Sequence, residues 1–109
     1  MPFRIQYYPE VFEDLEALSD EEFEEVDDYI EKLKTNPLLV SLPLEDLGDN
    51  LLSECRKIYV ANAAIRIVIR VINNQIHIVE LIAIGPRAGG IIYDEAYRRL
   101  VDMVDSEIG

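Results

Sequence analysis

The chain has 109 residues, half of them apolar, and its formal net charge at pH 7 is −12. This length suits one domain with an ordinary hydrophobic core, and the apolar content excludes a disordered chain. The most hydrophobic stretch, residues 65–84, is interrupted by ionisable side chains, which argues against a membrane span. The chain start does not resemble a signal peptide and Cys55 is the single cysteine, so we expect a cytoplasmic protein without disulfides.

The charge is unevenly distributed along the chain. Residues 1–54 hold 16 acidic and 3 basic residues, a balance of −13, and residues 55–109 hold 6 acidic and 7 basic residues, a balance of +1. On net charge alone the protein is a poor nucleic-acid binder, because phosphate contacts supply much of that affinity. A local cationic face in the C-terminal half is still compatible with this distribution.

The N-terminal half predicts a strand followed by a helical hairpin. Residues 3–7 alternate in polarity, which indicates a strand, and Pro9 suits the first turn of a helix. Ser19 followed by Glu22 has the form of a capping box and predicts the start of a second helix. That helix should end near residues 35–36, because Pro37 disfavours helical geometry in the residue before it.

The C-terminal half predicts three strands and a helix. After an irregular connection at 37–52, strands are expected at about 54–60, 64–72 and 75–84, and a helix from Ile92 to about Asp105. Asn73-Asn74 suits a two-residue hairpin turn. We therefore predict a single α+β domain over residues 1–109. It has a small antiparallel sheet of about four strands, an N-terminal helical hairpin packed on one face, and a C-terminal helix.

The predicted strand pairing places several cations on one sheet face. With a turn at Asn73-Asn74, Arg70 is opposite His77, and a four-residue loop at 61–64 puts Tyr59 opposite Arg66. One face then carries Lys57, Tyr59, Arg66, Arg70 and His77. The other face is apolar apart from Arg56 and Glu80. Because isolated charges are costly to bury, we expect the cationic face to be open and solvated.

Several short motifs occur in order along nearly the whole chain. They are Leu33-Lys34-Thr35-Asn36-Pro37, Cys55-Arg56-Lys57-Ile58, Ile65-Arg66-Ile67-Val68, Ile84-Gly85-Pro86-Arg87 and the segment from Ile92 to Leu100. With the predicted order of elements, they resemble the RelE/ParE superfamily of toxins from type II toxin–antitoxin systems, and more specifically its RelE-like branch.

The resemblance implies a ribosome-dependent mRNA endonuclease. In RelE-like toxins a ribose 2′-hydroxyl attacks the adjacent phosphate, giving a cyclic phosphate and a free 5′-hydroxyl, without a metal or other cofactor. The implied partners are a cognate antitoxin, in a toxin–antitoxin hetero-oligomer, together with the ribosome and mRNA. No membrane partner is implied.

The resemblance also implies catalytic roles for five residues. Lys57 and Arg66 match cations that stabilise the transition state, and Arg87 matches an arginine that contacts the phosphate and protonates the leaving group. Tyr93 matches a tyrosine that orients or stacks on the substrate nucleotide. Tyr59 stands where the family often has a second lysine with a role as base.

Two further residues are candidates from the predicted face alone. Arg70 and His77 could bind substrate there, although a solvated sheet charge and a structural histidine fit them better. With one histidine and one cysteine in the chain, the sequence predicts no metal site.

Tyr59 and the charge of −12 favour an alternative function. This alternative is a non-nuclease member of the fold, either a ParE-like gyrase inhibitor or a degenerate toxin that only binds its antitoxin. A plain structural or interaction domain is a third possibility.

Overall fold

The computed structural model describes residues 2–44, 54–62, 64–73, 77–86 and 88–108. The elements in chain order are β1 (Arg4–Tyr7), α1 (Val11–Glu16), α2 (Asp20–Leu33), α3 (Pro37–Val40), β2 (Leu42–Pro43), β3 (Cys55–Val60), β4 (Ile65–Asn73), β5 (His77–Pro86), a short 3-10 helix (Ala88–Gly90) and α4 (Ile91–Ile108).

The strands form one five-stranded sheet in the order β1-β5-β4-β3-β2. β1 runs parallel to β5, and the other neighbouring strands are antiparallel. The predicted α+β fold is confirmed, but the sheet is mixed instead of antiparallel, because β1 is parallel to β5, and it has one strand more than the expected four. The additional strand is β2, in a segment predicted to be irregular, where Leu42 and Pro43 pair with Lys57 and Arg56. A proline suits this position because β2 is an edge strand.

The second helix begins as the capping box predicts. The Glu22 backbone N–H donates to Ser19 Oγ at 3.2 Å, and the Ser19 N–H donates to Glu22 Oε1 at 2.9 Å. Val26, Ile30 and Leu33 form its buried stripe, while most of its other side chains are acidic and exposed. The acidic excess of the chain is therefore concentrated on a helix surface turned away from the sheet.

The predicted pairing of β3 with β4 is confirmed. Tyr59 pairs with Arg66, Lys57 with Val68, and Val60 with Ile65. Paired residues on adjacent strands point to the same side of a sheet. Lys57, Tyr59 and Arg66 therefore share one face, as the sequence indicates.

The predicted pairing of β4 with β5 is wrong. Arg70 pairs with Glu80 instead of His77, and His77 pairs with Asn73, so the connection is longer than the predicted two-residue turn. Part of that predicted turn, Asn74, lies outside the described residues. The register also shifts at a bulge between Val68 and Ile69. A bulge inserts an extra residue into one strand and changes which side chains share a face beyond it.

Both faces of the sheet are covered at β4. Residues 65–69 of this strand are all buried, although their side chains alternate between faces. The apolar face shares one core cluster with the buried stripe of α2, which contacts β3. On the Arg66 side, a Cβ added to Gly85 would lie 3.0 Å from Cδ1 of Ile92, so the start of α4 packs there.

Candidate functional site

The register of β3 and β4 brings Lys57, Tyr59 and Arg66 into contact, and we name these three residues the Tyr59 cluster. The guanidinium carbon of Arg66 lies 3.9 Å from the Tyr59 ring centroid, and Lys57 Nζ lies 5.2 Å from it. Both distances are within the range of about 6 Å for cation–π attraction. The cluster thus holds two positive charges around one aromatic ring.

The cluster is less open than the sequence suggested. Arg66 is only 5% exposed, whereas Tyr59 is 40% exposed. The expectation of an open, solvated position is therefore wrong for Arg66. Tyr59 packs over its guanidinium, and Gly85, its neighbour on β5, lies against α4. A planar, weakly hydrated guanidinium tolerates such stacking better than an ammonium does.

Arg70 lies on the same face as Arg66 but is bound to a carboxylate. Its Nε is 2.5 Å from Oε1 of Glu80, and both side chains are largely buried. This hydrogen bond raises the pKa of the Arg70 guanidinium. The placement of Glu80 on the apolar face was wrong, because the true register puts it directly opposite Arg70.

His77 is not part of the Tyr59 cluster. It pairs with Asn73, an odd number of residues along β4 from Arg70, so its side chain points to the opposite face. Its ring makes an edge contact with Phe3, with centroids 5.2 Å apart. The expectation that Arg70 and His77 share a face was therefore wrong.

Arg56 anchors the segment that leads into β2. Its Nε donates to Ser41 Oγ at 2.7 Å, and its Nη2 donates to the carbonyls of Ser41 at 2.9 Å and Leu38 at 3.3 Å. These bonds account for an arginine on the apolar face, because its polar atoms reach acceptors of Ser41 and Leu38.

The two remaining predicted site residues are Tyr93 and Arg87. Tyr93 is the third residue of this helix, is half-buried and packs against the core. Arg87 falls outside the described residues, directly after the end of β5 at Pro86. The role of Arg87 therefore stays a prediction from the sequence.

A buried ion pair that sequence reasoning missed holds α4 to α1. Arg99, 6% exposed, donates from Nη1 to Asp14 Oδ2 at 2.7 Å and from Nη2 to Oδ1 at 2.9 Å. The same two side chains also bond to backbone groups of β5. Arg99 donates to the Ile82 carbonyl, and Asp14 accepts from the Ile84 N–H. The available signal was helical spacing, because Arg99 falls within the apolar stripe of α4.

Cys55 lies opposite Arg70 on β3 and is buried. Burial raises the pKa of its thiol to about 11. It is therefore protonated at neutral pH, which argues against a nucleophilic role.

Two further findings concern only the part of the chain that the structure describes. Within it, no group of three or more histidine, cysteine, aspartate or glutamate side chains is arranged to hold a metal ion. No helix in these same ranges is long and apolar enough to cross a bilayer.

Comparison with known proteins gives matches among solved structures. No family model matches the sequence, and no curated protein matches it. A mutant of the toxin RelE from E. coli, in the free state, superposes with a TM-score of 0.68 at 20% identity, covering 92% of this chain and 99% of that chain. The chain has the RelE-like toxin fold.

Two further RelE-like structures are toxin–antitoxin complexes. RelBE2 from Mycobacterium tuberculosis gives a TM-score of 0.63 at 18% identity, covering 80% of this chain and 100% of that chain. The RelE-RelB complex of Pyrococcus horikoshii gives 0.60 at 17% identity, covering 82% and 99%. Such identities establish a shared RelE-like fold, whereas function has to be argued from the site.

Proposed function

We propose that this protein is the toxin of a type II toxin–antitoxin system and acts as a ribosome-dependent mRNA endonuclease. The observation that carries the proposal is the convergence of Lys57 and Arg66 around Tyr59, on one face of a RelE-like fold. Two adjacent cations form an anion site that suits the phosphate of an RNA strand.

The proposed reaction is an internal transesterification. The ribose 2′-oxygen forms a bond to the adjacent phosphorus and loses its proton to solvent water, while the bond from phosphorus to the 5′-oxygen breaks. The products are a cyclic phosphate and a 5′-hydroxyl. Lys57 and Arg66 stabilise the negative charge that develops on the phosphate oxygens.

Arg87 and Tyr93 complete the proposed site. Arg87 contacts the phosphate and supplies a proton to the departing 5′-oxygen, as the family resemblance implies. Tyr93 orients the nucleotide from the first turn of a helix whose start packs on the Arg66 side of the sheet. We leave Arg70 and His77 outside the phosphate-binding set, because Glu80 neutralises Arg70 and His77 lies on the other face.

We propose a cognate antitoxin as the stable partner, in a hetero-oligomer. Three of the similar structures contain a toxin with its antitoxin or an antitoxin peptide. In this chain, α3 and β2 expose three leucines, Leu38, Leu39 and Leu42, of which Leu39 is 81% exposed. An apolar patch of this kind beside an edge strand suits an amphipathic or extended segment of a partner.

The test is induction of the protein in bacteria without its antitoxin. We expect arrested growth and cuts in translated transcripts that carry 5′-hydroxyl ends, mapped by sequencing of the cleaved ends. Lys57→Ala should strongly weaken both effects. Lys34→Ala is the matched control, because Lys34 is an exposed lysine that pairs with Glu31. Folded protein that neither arrests growth nor cleaves mRNA would contradict the proposal.

A second candidate function is a non-nuclease toxin or a degenerate toxin that only binds its antitoxin. The low exposure of Arg66 and the tyrosine at position 59 favour it. Arrested growth with intact transcripts and stalled gyrase would support a gyrase inhibitor. Tight binding to the product of a neighbouring gene, without toxicity, would support the degenerate toxin.

A further inference from the structure

We propose that a groove beside the last residues of β5 is a docking site for a positively charged, amphipathic segment of a partner protein. Apolar side chains of that segment enter the groove, and its lysine or arginine side chains meet carboxylates that line it. We name the β5 groove the two adjoining cavities that share Asp14 and residues 84–86 as lining. It is separate from the exposed leucines of α3 and β2, because β2 lies three strands away from β5 in the sheet.

The groove arises because β5 extends further than its neighbour β1. β1 ends at Tyr7, which pairs within β5, whereas β5 continues to Pro86. Beyond the end of β1, Asp14 of α1 and Arg99 of α4 bond to the backbone of β5 in place of a strand. Two side chains replace only part of a strand, so space remains beside residues 84–86.

The β5 groove is concave and mainly apolar. One cavity, of about 490 Å³, lies between β5 and α4, and the other, of about 400 Å³, is lined by α1, β5, and the starts of α2 and β4. Both volumes are in the range of binding sites. Ile91, one of the lining residues, is 68% exposed. An exposed isoleucine in a concave apolar surface is typical of an interaction site.

The ionisable residues that line the β5 groove make it negatively charged. Within the described ranges they are four carboxylates, Glu13, Asp14, Glu22 and Glu95, and one guanidinium, Arg99. Arg99 pairs with Asp14 and Glu95, whereas Glu13 and Glu22 form no ion pair with a described residue. The groove can therefore attract a cationic ligand.

Charge and size together determine the kind of occupant. The carboxylates repel the phosphates of a nucleic acid, and a second copy of this chain carries the same net charge of −12. A small organic cation would fill one cavity, whereas a helical or extended segment can place apolar side chains in both. A positively charged amphipathic segment complements both the apolar lining and the carboxylates.

The experiment titrates the isotope-labelled full chain with synthetic peptides and follows its backbone amide signals by NMR. The probe is a peptide of leucine and lysine at amphipathic helical spacing. Two matched peptides carry glutamate instead of lysine or serine instead of leucine, and a short single-stranded RNA is the fourth ligand. Glu13→Lys and Ile91→Ser change the groove. Asp28→Lys, exposed further along α2, and Leu39→Ser, 81% exposed on α3, are the matched controls.

We expect the leucine–lysine peptide to shift signals along the β5 groove, including that of Gly85, and to bind about tenfold more tightly than either matched peptide. Glu13→Lys should weaken this binding about fivefold, whereas Asp28→Lys, with the same change of net charge, should alter it less than about twofold. Ile91→Ser should also weaken it about fivefold, and Leu39→Ser should not.

Several results would overturn the proposal. Equal weakening by the two lysine variants would show non-specific charge attraction. Absence of peptide binding, shifts that map to α3 and β2, or equal groove shifts with the glutamate peptide or the RNA would also contradict it. Groove signals that depend on protein concentration without peptide would assign the groove to a second copy.

Two features keep the outcome clear. Should Glu13→Lys not fold, Glu13→Gln tests the same carboxylate. The titrations require no mRNA cleavage, so they decide the docking proposal whether or not the proposed nuclease function holds.

Discussion

Arg66 and Arg70 lie four residues apart on one face of β4, but their neighbours differ. The cross-strand neighbours of Arg70 are Cys55 and Glu80, and those of Arg66 are Tyr59 and Gly85. A carboxylate neutralises the first arginine, whereas an aromatic ring stacks on the second. The comparison teaches that two arginines on the same strand and face can make different contacts. The residue opposite each arginine decides which contact its guanidinium makes.

The largest expected effect concerns Arg66, the arginine that we propose stabilises the reacting phosphate. Arg66→Ala should lower mRNA cleavage by about a hundredfold, since removing one group that stabilises transition-state charge typically costs this much. Replacing both members of the other pair, with Arg70→Leu and Glu80→Leu, should leave cleavage within about threefold, because the pair is structural. Cleavage rates on translated transcripts measure both. Equal losses in the two proteins would show that the arginines share one function.

The reactivity of Cys55, which pairs with Arg70 across β3 and β4, reports whether solvent reaches this part of the sheet. With its pKa raised by burial to about 11 from an ordinary value of 9.0, the thiol should be ionised about a hundredfold less in the folded protein at pH 8. Its reaction with an aromatic disulfide should therefore be slower by at least that factor than in urea-unfolded protein. Measured rates that are similar in both states would mean that this end of the sheet is open to solvent.

The ion pair at the Arg70 end should contribute to stability. Glu80→Ala should lower the free energy of unfolding by about 2 kcal/mol, because it leaves a largely buried guanidinium without its carboxylate. Arg66→Leu should cost less, about 1 kcal/mol, for the loss of its cation–π contact with Tyr59. Urea unfolding followed by circular dichroism measures both values. Adding Arg70→Leu to Glu80→Ala should restore part of the loss, and its failure to do so would contradict the charge-based explanation.

The sequence predicted the pairing of β3 with β4 because regular alternation on both strands and a short loop leave one register that keeps Arg66 out of the apolar face. It did not predict the pairing of β4 with β5. There, a longer connection and the bulge at Val68/Ile69 change the register, and alternation of apolar residues does not reveal either. The convergence of Lys57 and Arg66 was therefore predictable, but the partner of Arg70 was not.

Local sequence patterns also did not predict the burial of Arg66 or the ion pair between Arg99 and Asp14. The low exposure of Arg66 depends on the packing of Tyr59 and α4, which strand periodicity does not specify. The ion pair of Arg99 with Asp14 joins residues 85 positions apart. Helical spacing could place Arg99 on the buried face of α4, yet nothing local identified the carboxylate that neutralises it.

The smallest expected effect concerns the arginines of α4, which are neutralised like Arg70. Hydrogen bonds from Arg98 and then Arg99 lower the pKa of the Glu95 carboxyl to about 2. This folded-state pKa is below the unfolded value of about 4.3. The ion pairs of Glu95 therefore stabilise the folded protein above about pH 4.3, and this stabilisation is lost as the pH falls towards 2. Glu95 is partly exposed, so solvent screening limits the contribution to about 1 kcal/mol.

Glu95→Gln should therefore lower stability at pH 7 and make it less sensitive to acid between pH 5 and pH 2, as measured by urea unfolding across that range. Glu24→Gln on the exposed surface of α2 is the matched control and should leave the acid dependence unchanged. If the two variants lose stability in parallel on acidification, the ion pairs of α4 do not hold Glu95 ionised. The α4 arginines would then differ from Arg70, which would remain the example of an arginine whose charge stabilises the fold.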